Sequence, residues 1–308
     1  MKNLIAIPCF NEELNLESTI KKILDISNDK FEILVCNDGS TDSSISIIKK
    51  YESQIHFIES KVNFGLSEVF NSIMYFAKTN NYDNLIIFDA DQQYPYKEIE
   101  HLLNNHIINK NDIHIGTRNF KKTRHFSVIK NFLQNLGSFV VSFFVKQRIK
   151  DVTSGFRIYS NRAIETLFSY NNFTYTVETL FQAKQIGLII GTTQIESVNE
   201  TRDSKLFNSN FEYVAKTSKI IFKSILVYRK DVNLKIFLLS LIPTILILNR
   251  FFSPYFKYGF NDGNIQSLIV GIGLLIIFII ILFSSYLLVS QYYSGLETKK
   301  YLYSPKHT

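Results

Sequence analysis

Leu85-Ile86-Ile87-Phe88-Asp89-Ala90-Asp91-Gln92-Gln93-Tyr94-Pro95 decides how the 308-residue chain is read. An apolar, strand-forming run ends in two carboxylates separated by one residue, then a pair of side-chain amides, then a proline that stops the strand. Hard divalent cations such as Mg²⁺ or Mn²⁺ take oxygen ligands, and one or two carboxylates together with substrate phosphates usually hold them. In extended backbone Asp89, Asp91 and Gln93 share one face. The same residues also suit an ordinary turn, so the cluster takes its meaning from what surrounds it.

Upstream, from Met1 to about Asn80, strands and helices alternate, the pattern of a parallel sheet with crossover helices. Apolar runs at 4–7, 31–36, 55–58 and 85–88 read as strands. Leu16, Ile20, Ile23 and Leu24 form one helical face, 43–51 a second helix, and Leu66, Val69, Phe70, Ile73, Met74 and Ala77 a third. The first strand runs into Pro8-Cys9-Phe10-Asn11-Glu12-Glu13 and the second into Asn37-Asp38-Gly39-Ser40-Thr41-Asp42. Either segment alone is a good helix start. Together with the Asp89 cluster they fall on one rim, since open parallel sheets bind ligands beyond the carboxyl ends of their strands. Cys9 and Cys36 both fall at strand ends and read as free thiols.

Downstream, the segment 265–289 has no charged residue and is long enough to cross a hydrocarbon core of roughly 30 Å. A shorter run at 236–248, extended past Arg250 by Phe251 and Phe252 and containing Pro243, reads as a second span, so a hairpin over 234–290 is expected. Lys216, Lys219, Lys223, Arg229, Lys230 and Lys235 precede it, and Lys299, Lys300 and Lys306 follow; only Arg250 and Lys257 lie between. That asymmetry places both termini, and the 291–308 tail, on the cytoplasmic side. The net charge of +7 then reads as attraction to anionic lipid. Nucleic acid is not the expected partner, because the basic residues crowd beside the membrane segments and no nucleic-acid module is present. The strand starting at Leu4 leaves no room for a signal peptide, so the 1–210 region is expected to stay in the cytoplasm. The stretch 126–145 reads as a helix lying in the bilayer interface, with a buried core helix as the alternative, and 211–233 reads as a juxtamembrane amphipathic helix.

Six segments occur in a recognisable order: Ile7 to Glu13, Asn37 to Asp42, Asn63-Phe64-Gly65, Asp89 to Pro95, Gly116-Thr117-Arg118, and Asp151-Val152-Thr153-Ser154-Gly155-Phe156-Arg157. This set resembles the family 2 glycosyltransferases, and more narrowly the dolichol-phosphate mannose synthases and bacterial polyprenyl-phosphate (bactoprenol) glycosyltransferases. The resemblance implies an α/β, GT-A nucleotide-sugar-binding fold followed by amphipathic helices and two transmembrane helices. It implies that Pro8, Phe10, Asn11, Glu12 and Asp38 line the nucleotide pocket. Asp89, Ala90, Asp91 and Gln93 would lie against the donor diphosphate, with Asp89, Asp91 and Gln93 holding Mg²⁺ or Mn²⁺. Phe10 replaces the family's usual tyrosine, keeping a stacking face without the hydroxyl. Arg202 and Lys205 stand in for a family arginine-and-lysine pair, at a shortened spacing.

The reaction so implied is inverting transfer of a sugar, from a UDP-glucose or GDP-mannose type of donor, to a polyprenyl phosphate in the membrane. Such an acceptor is already ionised, so anion binding matters more than proton removal. Arg118 is the first candidate for the phosphate, with Lys130 or Arg124 next, since arginine offers a matched fork. Asp151 is the candidate beside the reacting centre, orienting the sugar or acting as base. The resemblance also suggests a tetramer. A processive polysaccharide synthase is disfavoured because the chain has no tryptophan and so lacks that group's Gln-x-x-Arg-Trp segment. No Gly-x-Gly-x-x-Gly follows the first strand, which disfavours a dinucleotide oxidoreductase. Another lipid acceptor, or a non-catalytic nucleotide-sugar-binding membrane protein, stands as the alternative.

Overall fold

The computed structural model describes residues 1–27, 30–91, 93–118, 128–171, 173–196, 210–259 and 265–302. The four apolar runs form β1 (Asn3–Cys9), β2 (Phe31–Asp38), β3 (His56–Ser60) and β4 (Asn84–Ile87). Between them lie α1 (Leu16–Ser27), α2 (Ser44–Lys50) and α3 (Leu66–Thr79), each at the place its apolar stripe predicts. Then follow α4 (Lys97–Ile108), β5 (Ile113–Thr117), α5 (Val128–Val145), β6 (Arg157–Ser160), α6 (Asn161–Thr166), α7 (Tyr175–Ile186) and β7 (Ile190–Gln194).

The seven strands make one sheet in the order β3-β2-β1-β4-β6-β5-β7. β1 pairs in parallel with β2 and β4, β2 with β3, and β5 with β7; β6 alone is antiparallel, wedged between β4 and β5. Ile5, Ile7, Ile33, Val35, Ile86 and Phe88 belong to one buried core with Leu16, Ile20 and Ile23 of α1. Strands covered on both faces carry continuous apolar runs, which is why β1, β2 and β4 are legible as they are.

The chain divides into two compact units, 1–221 and 222–308. The break falls inside α8 (Asn210–Tyr228), whose Lys216, Lys219 and Lys223 are exposed. In the second unit α9 (Lys230–Tyr258) contains Pro243 and Pro254, and α10 (Ile265–Leu302) continues well beyond its apolar part. The two helices touch closely: a methyl group placed on Gly271 would stand 2.5 Å from Cδ2 of Leu248. Among the described residues one helical segment, Ile265–Gln291, is long and apolar enough to cross a membrane, with mean hydropathy 3.0. The expectation of two such spans is met only by α10. Arg250 and Lys257 interrupt α9 on one side of its apolar run, and Lys230, Asp231 and Lys235 do so on the other.

Candidate active site

β2, β1 and β4 lie side by side and parallel, so the segments that follow them emerge on one rim, as expected from sequence. The first two interlock. Asn11, in a left-handed conformation (φ 55°), donates its N–H to Ser40 Oγ at 2.9 Å, and its Oδ1 accepts from the Thr41 N–H at 2.8 Å. The Glu12 N–H donates to Ser44 Oγ at 2.9 Å. Glu13 and Asp42 tie the same two loops: the Glu13 N–H donates to Asp42 Oδ2, and Glu13 Oε2 accepts from the Ser43 N–H. The polar residues after β1 thus brace a second loop as well as starting a helix.

Asp38, buried at the end of β2, accepts from the backbone N–H groups of Phe64 and Gly65, each at 2.8 Å. Its carboxylate therefore shapes the Asn63-Phe64-Gly65 turn that enters α3. Gly39 has φ +67°, and a side chain there would run into the backbone of Val62 and Asn63. Pro8 and Phe10 are half-buried at the same edge.

Beyond β4, Asp91 Oδ1 accepts from the Gln93 N–H at 3.1 Å, and the Ala90 carbonyl is held by Thr19 Oγ1 at 3.1 Å. Burial, the neighbouring Asp91 carboxylate and Glu12 push the Asp89 carboxyl up to about 7, against the lowering pull of Arg118. Carboxylates crowded in this way repel one another, and a cation between them relieves the repulsion. Among the described residues no three His, Cys, Asp or Glu side chains form a closed metal cage. Asp89, Asp91 and Gln93 offer oxygen donors, the type that suits a hard divalent ion completed by phosphate oxygens.

Arg118 follows β5 and meets Asp151: Nε to Oδ2 at 2.8 Å and Nη2 to Oδ1 at 3.3 Å, with Nη2 also donating to Thr153 Oγ1 at 3.2 Å. The Asp151 side chain is 1% exposed and that of Arg118 15%. Burial works to raise the Asp151 carboxyl, yet the guanidinium charge and its hydrogen bonds outweigh it and hold the group below the usual carboxylate range. Arg118 was expected at a phosphate and Asp151 beside the reacting centre; the structure joins the two as one ion pair.

Arg157, absent from the residues expected in the site, is fully buried and organises the loop before β6. Its Nε donates to the Ser154 carbonyl and its Nη2 to the Val152 carbonyl, both at 2.8 Å, and Nη1 donates to Thr179 Oγ1. Ser154 Oγ donates to the Gly116 carbonyl at 2.6 Å and lies 3.4 Å from the hydroxyl of buried Tyr94. The sequence signal for Arg157 was an arginine opening the apolar strand Arg157-Ile158-Tyr159, a position that demands an internal partner. Lys130 falls in the first turn of α5. Arg124, Arg202 and Lys205 lie outside the described residues.

Several known proteins are similar to this chain. A dolichyl-phosphate β-glucosyltransferase of Dictyostelium discoideum is 24% identical over 250 residues, covering 72% of this chain and 74% of the relative. A poly-β-1,6-N-acetyl-D-glucosamine synthase of Staphylococcus aureus is 31% identical over 100 residues, 30% of this chain and 24% of that one. In fold the chain is similar to glucosyl-3-phosphoglycerate synthase of Mycobacterium tuberculosis, solved with Mn²⁺, UDP and glucosyl-3-phosphoglycerate: TM-score 0.55, 15% identity, 73% of this chain and 78% of that one. The family model described as glycosyl transferase family 2 matches residues 4–168, which hold the whole rim from Pro8 to Arg157 and more than half of the 308 residues. The chain belongs to glycosyl transferase family 2.

Proposed function

We propose that the chain transfers a sugar from a nucleotide diphosphate sugar to a polyprenyl phosphate at the cytoplasmic face of a membrane, inverting the anomeric centre in one displacement. The observation that carries this reading is the commitment of Asp151 to Arg118. A carboxylate with a depressed pKa, locked in a buried ion pair, is a weak base. An acceptor hydroxyl needs a base, whereas a phosphate monoester needs an oriented cation, and Asp151 holds the Arg118 fork in one orientation. The similarity to a dolichyl-phosphate β-glucosyltransferase supports the same class of acceptor.

On the donor side, Asp89, Asp91 and Gln93 would hold Mg²⁺ or Mn²⁺. The metal, when bound, stabilises the charge that develops on the departing diphosphate. Pro8, Phe10, Asn11, Glu12 and Asp38 form the nucleotide end of the rim, with Phe10 offering a face to the base and Asp38 keeping the loop of Phe64 in place. The UDP-bearing neighbour supports that arrangement.

The membrane part of the reading rests on α5, α9 and α10. Leu136, Phe139 and Phe143 of α5 are exposed on one stripe while Ser138, Val141 and Val145 are buried on the other. Exposed Lys146, Arg148 and Lys150 follow the stripe directly. An apolar stripe beside a basic cluster suits an anionic bilayer surface. The contact of Gly271 with Leu248 supports a hairpin in which α10 spans and α9 crosses beside it.

The test is label transfer from UDP-glucose and GDP-mannose into undecaprenyl phosphate by the full chain in membranes, with and without divalent ion. The expected product is an alkali-stable or acid-labile polyprenyl-phosphate sugar formed only with the ion. Transfer that survives chelation, or that persists in Asp91→Ala, overturns the cation role. Labelling of a hydroxyl lipid instead overturns the acceptor.

A further inference from the structure

Tyr175 opens α7 and is 1% exposed, its ring stacked on Phe70 of α3 with centroids 4.4 Å apart and planes within 7°. Its hydroxyl donates to the Gly155 carbonyl at 3.1 Å. Gly155 in turn lies directly against Asp89: a methyl group placed on its α-carbon would come within 2.7 Å of Asp89 Oδ2 and 3.3 Å of Oδ1. The backbone at Gly155 is a wall on which the Asp89 carboxylate rests. Arg157 anchors the residues before this wall, through the carbonyls of Val152 and Ser154. Tyr175 holds the wall itself, from the same helix whose Thr179 accepts from Arg157.

We propose that Tyr175 is a positioning residue, which sets the Gly155 backbone and through it fixes the Asp89 carboxylate for a divalent cation. The inference rests on the proposed cation role of Asp89 and Asp91. A hydroxyl that holds one carbonyl contributes a modest hydrogen bond. Here that bond lies one residue's width from a ligand oxygen, so its loss is read out in metal affinity more than in stability. Gly155 has a stricter requirement, because any β-carbon displaces the carboxylate itself.

The experiment is titration of the detergent-solubilised full chain with Mn²⁺, followed by electron paramagnetic resonance, in separate arms containing UDP or GDP. Asp91→Ala sets the baseline for unspecific binding. Tyr82→Phe is the control, since it also removes a buried tyrosine hydroxyl, one that donates to Glu32 Oε2 at 2.6 Å at the far end of the sheet. Tyr175→Phe is expected to weaken Mn²⁺ binding about fivefold, and Gly155→Ala about tenfold or more, while Tyr82→Phe stays close to wild type. Wild-type affinity in Tyr175→Phe overturns the positioning role and leaves the cation site standing. Wild-type affinity in Gly155→Ala does the same, and decides the matter if Tyr175→Phe does not fold. No saturable binding by the wild-type chain in either arm overturns the cation reading itself, without reference to the variants.

Discussion

Asp151 and Arg118 show what one buried pair demands. A lone guanidinium in a site this enclosed is costly, so removing one partner charges the structure with an uncompensated ion. Asp151→Asn is expected to cost about 3 kcal/mol of stability, by the usual scale for breaking buried pairs, and to lower transfer as the Arg118 fork loses its orientation. Thermal denaturation together with turnover checks both. The pH dependence has a defined sign: the folded pKa of Asp151 lies below its unfolded value, so its contribution is present above the unfolded pKa and is lost as pH falls through the folded one. The Asp89–Asp91 pair was visible in sequence because two carboxylates stand almost adjacent after a strand. Arg118–Asp151 and Gly155–Asp89 were not, since each joins residues far apart in the chain, and only the fold brings the loop before β6 against the segments that follow β5 and β4.

Elements differ in how openly they declare themselves. β1, β2 and β4 are buried on both faces and carry unbroken apolar runs, whereas β6 has four residues beginning with a buried arginine and gives no such run. Its antiparallel insertion follows from pairing partners on both sides and not from local pattern. α4 and β5 bring together two buried histidines, His106 and His114, with ring centroids 6.2 Å apart. His114 Nδ1 lies 2.7 Å from Asn111 Nδ2 and its Nε2 2.8 Å from Thr193 Oγ1, so the neutral ring accepts at one nitrogen and donates at the other. Burial depresses both rings to about 4, with Asp112 opposing at His106 and the neighbouring histidines adding at His114. The unfolded chain takes up these protons near pH 6.5 and the folded chain does not, so stability is full above about 6.5 and falls toward pH 4. The expected slope is about 1.4 kcal/mol per pH unit for each histidine. His106→Phe should flatten the fall in denaturation midpoint by up to one proton's worth, and an unchanged slope counts against the assignment. α5 makes a separate prediction. The chain has no tryptophan, so Phe139→Trp introduces a single tryptophan, excited apart from the tyrosines, on the exposed stripe. In nanodiscs its emission should be quenched by brominated lipid, while Phe57→Trp on the edge strand β3 should not respond.

For the whole molecule, the arrangement of charge along the chain makes a claim about sidedness. Basic residues flank α9 and α10 on the outer sides, and Arg250 and Lys257 alone lie near the connection between them. If the pair forms a hairpin, the end of α9 faces away from the compartment that holds the sheet. The chain supplies a quiet background for testing this, because Cys9 and Cys36 are both buried free thiols and burial pushes them up to about 11 and about 12. At neutral pH such thiols are protonated and shielded, hence slow to react with a maleimide. Tyr258→Cys places a thiol at the exposed last position of α9, and Asn80→Cys places one on the exposed end of α3 in the first unit. In sealed vesicles of known orientation, a membrane-impermeant maleimide should label one of these two from outside and the other only after the vesicles are opened. Labelling of both from the same side removes the hairpin and leaves α10 as the one crossing; the sugar-transfer rim would then be tethered by a single helix, with α9 lying on the same side as the sheet.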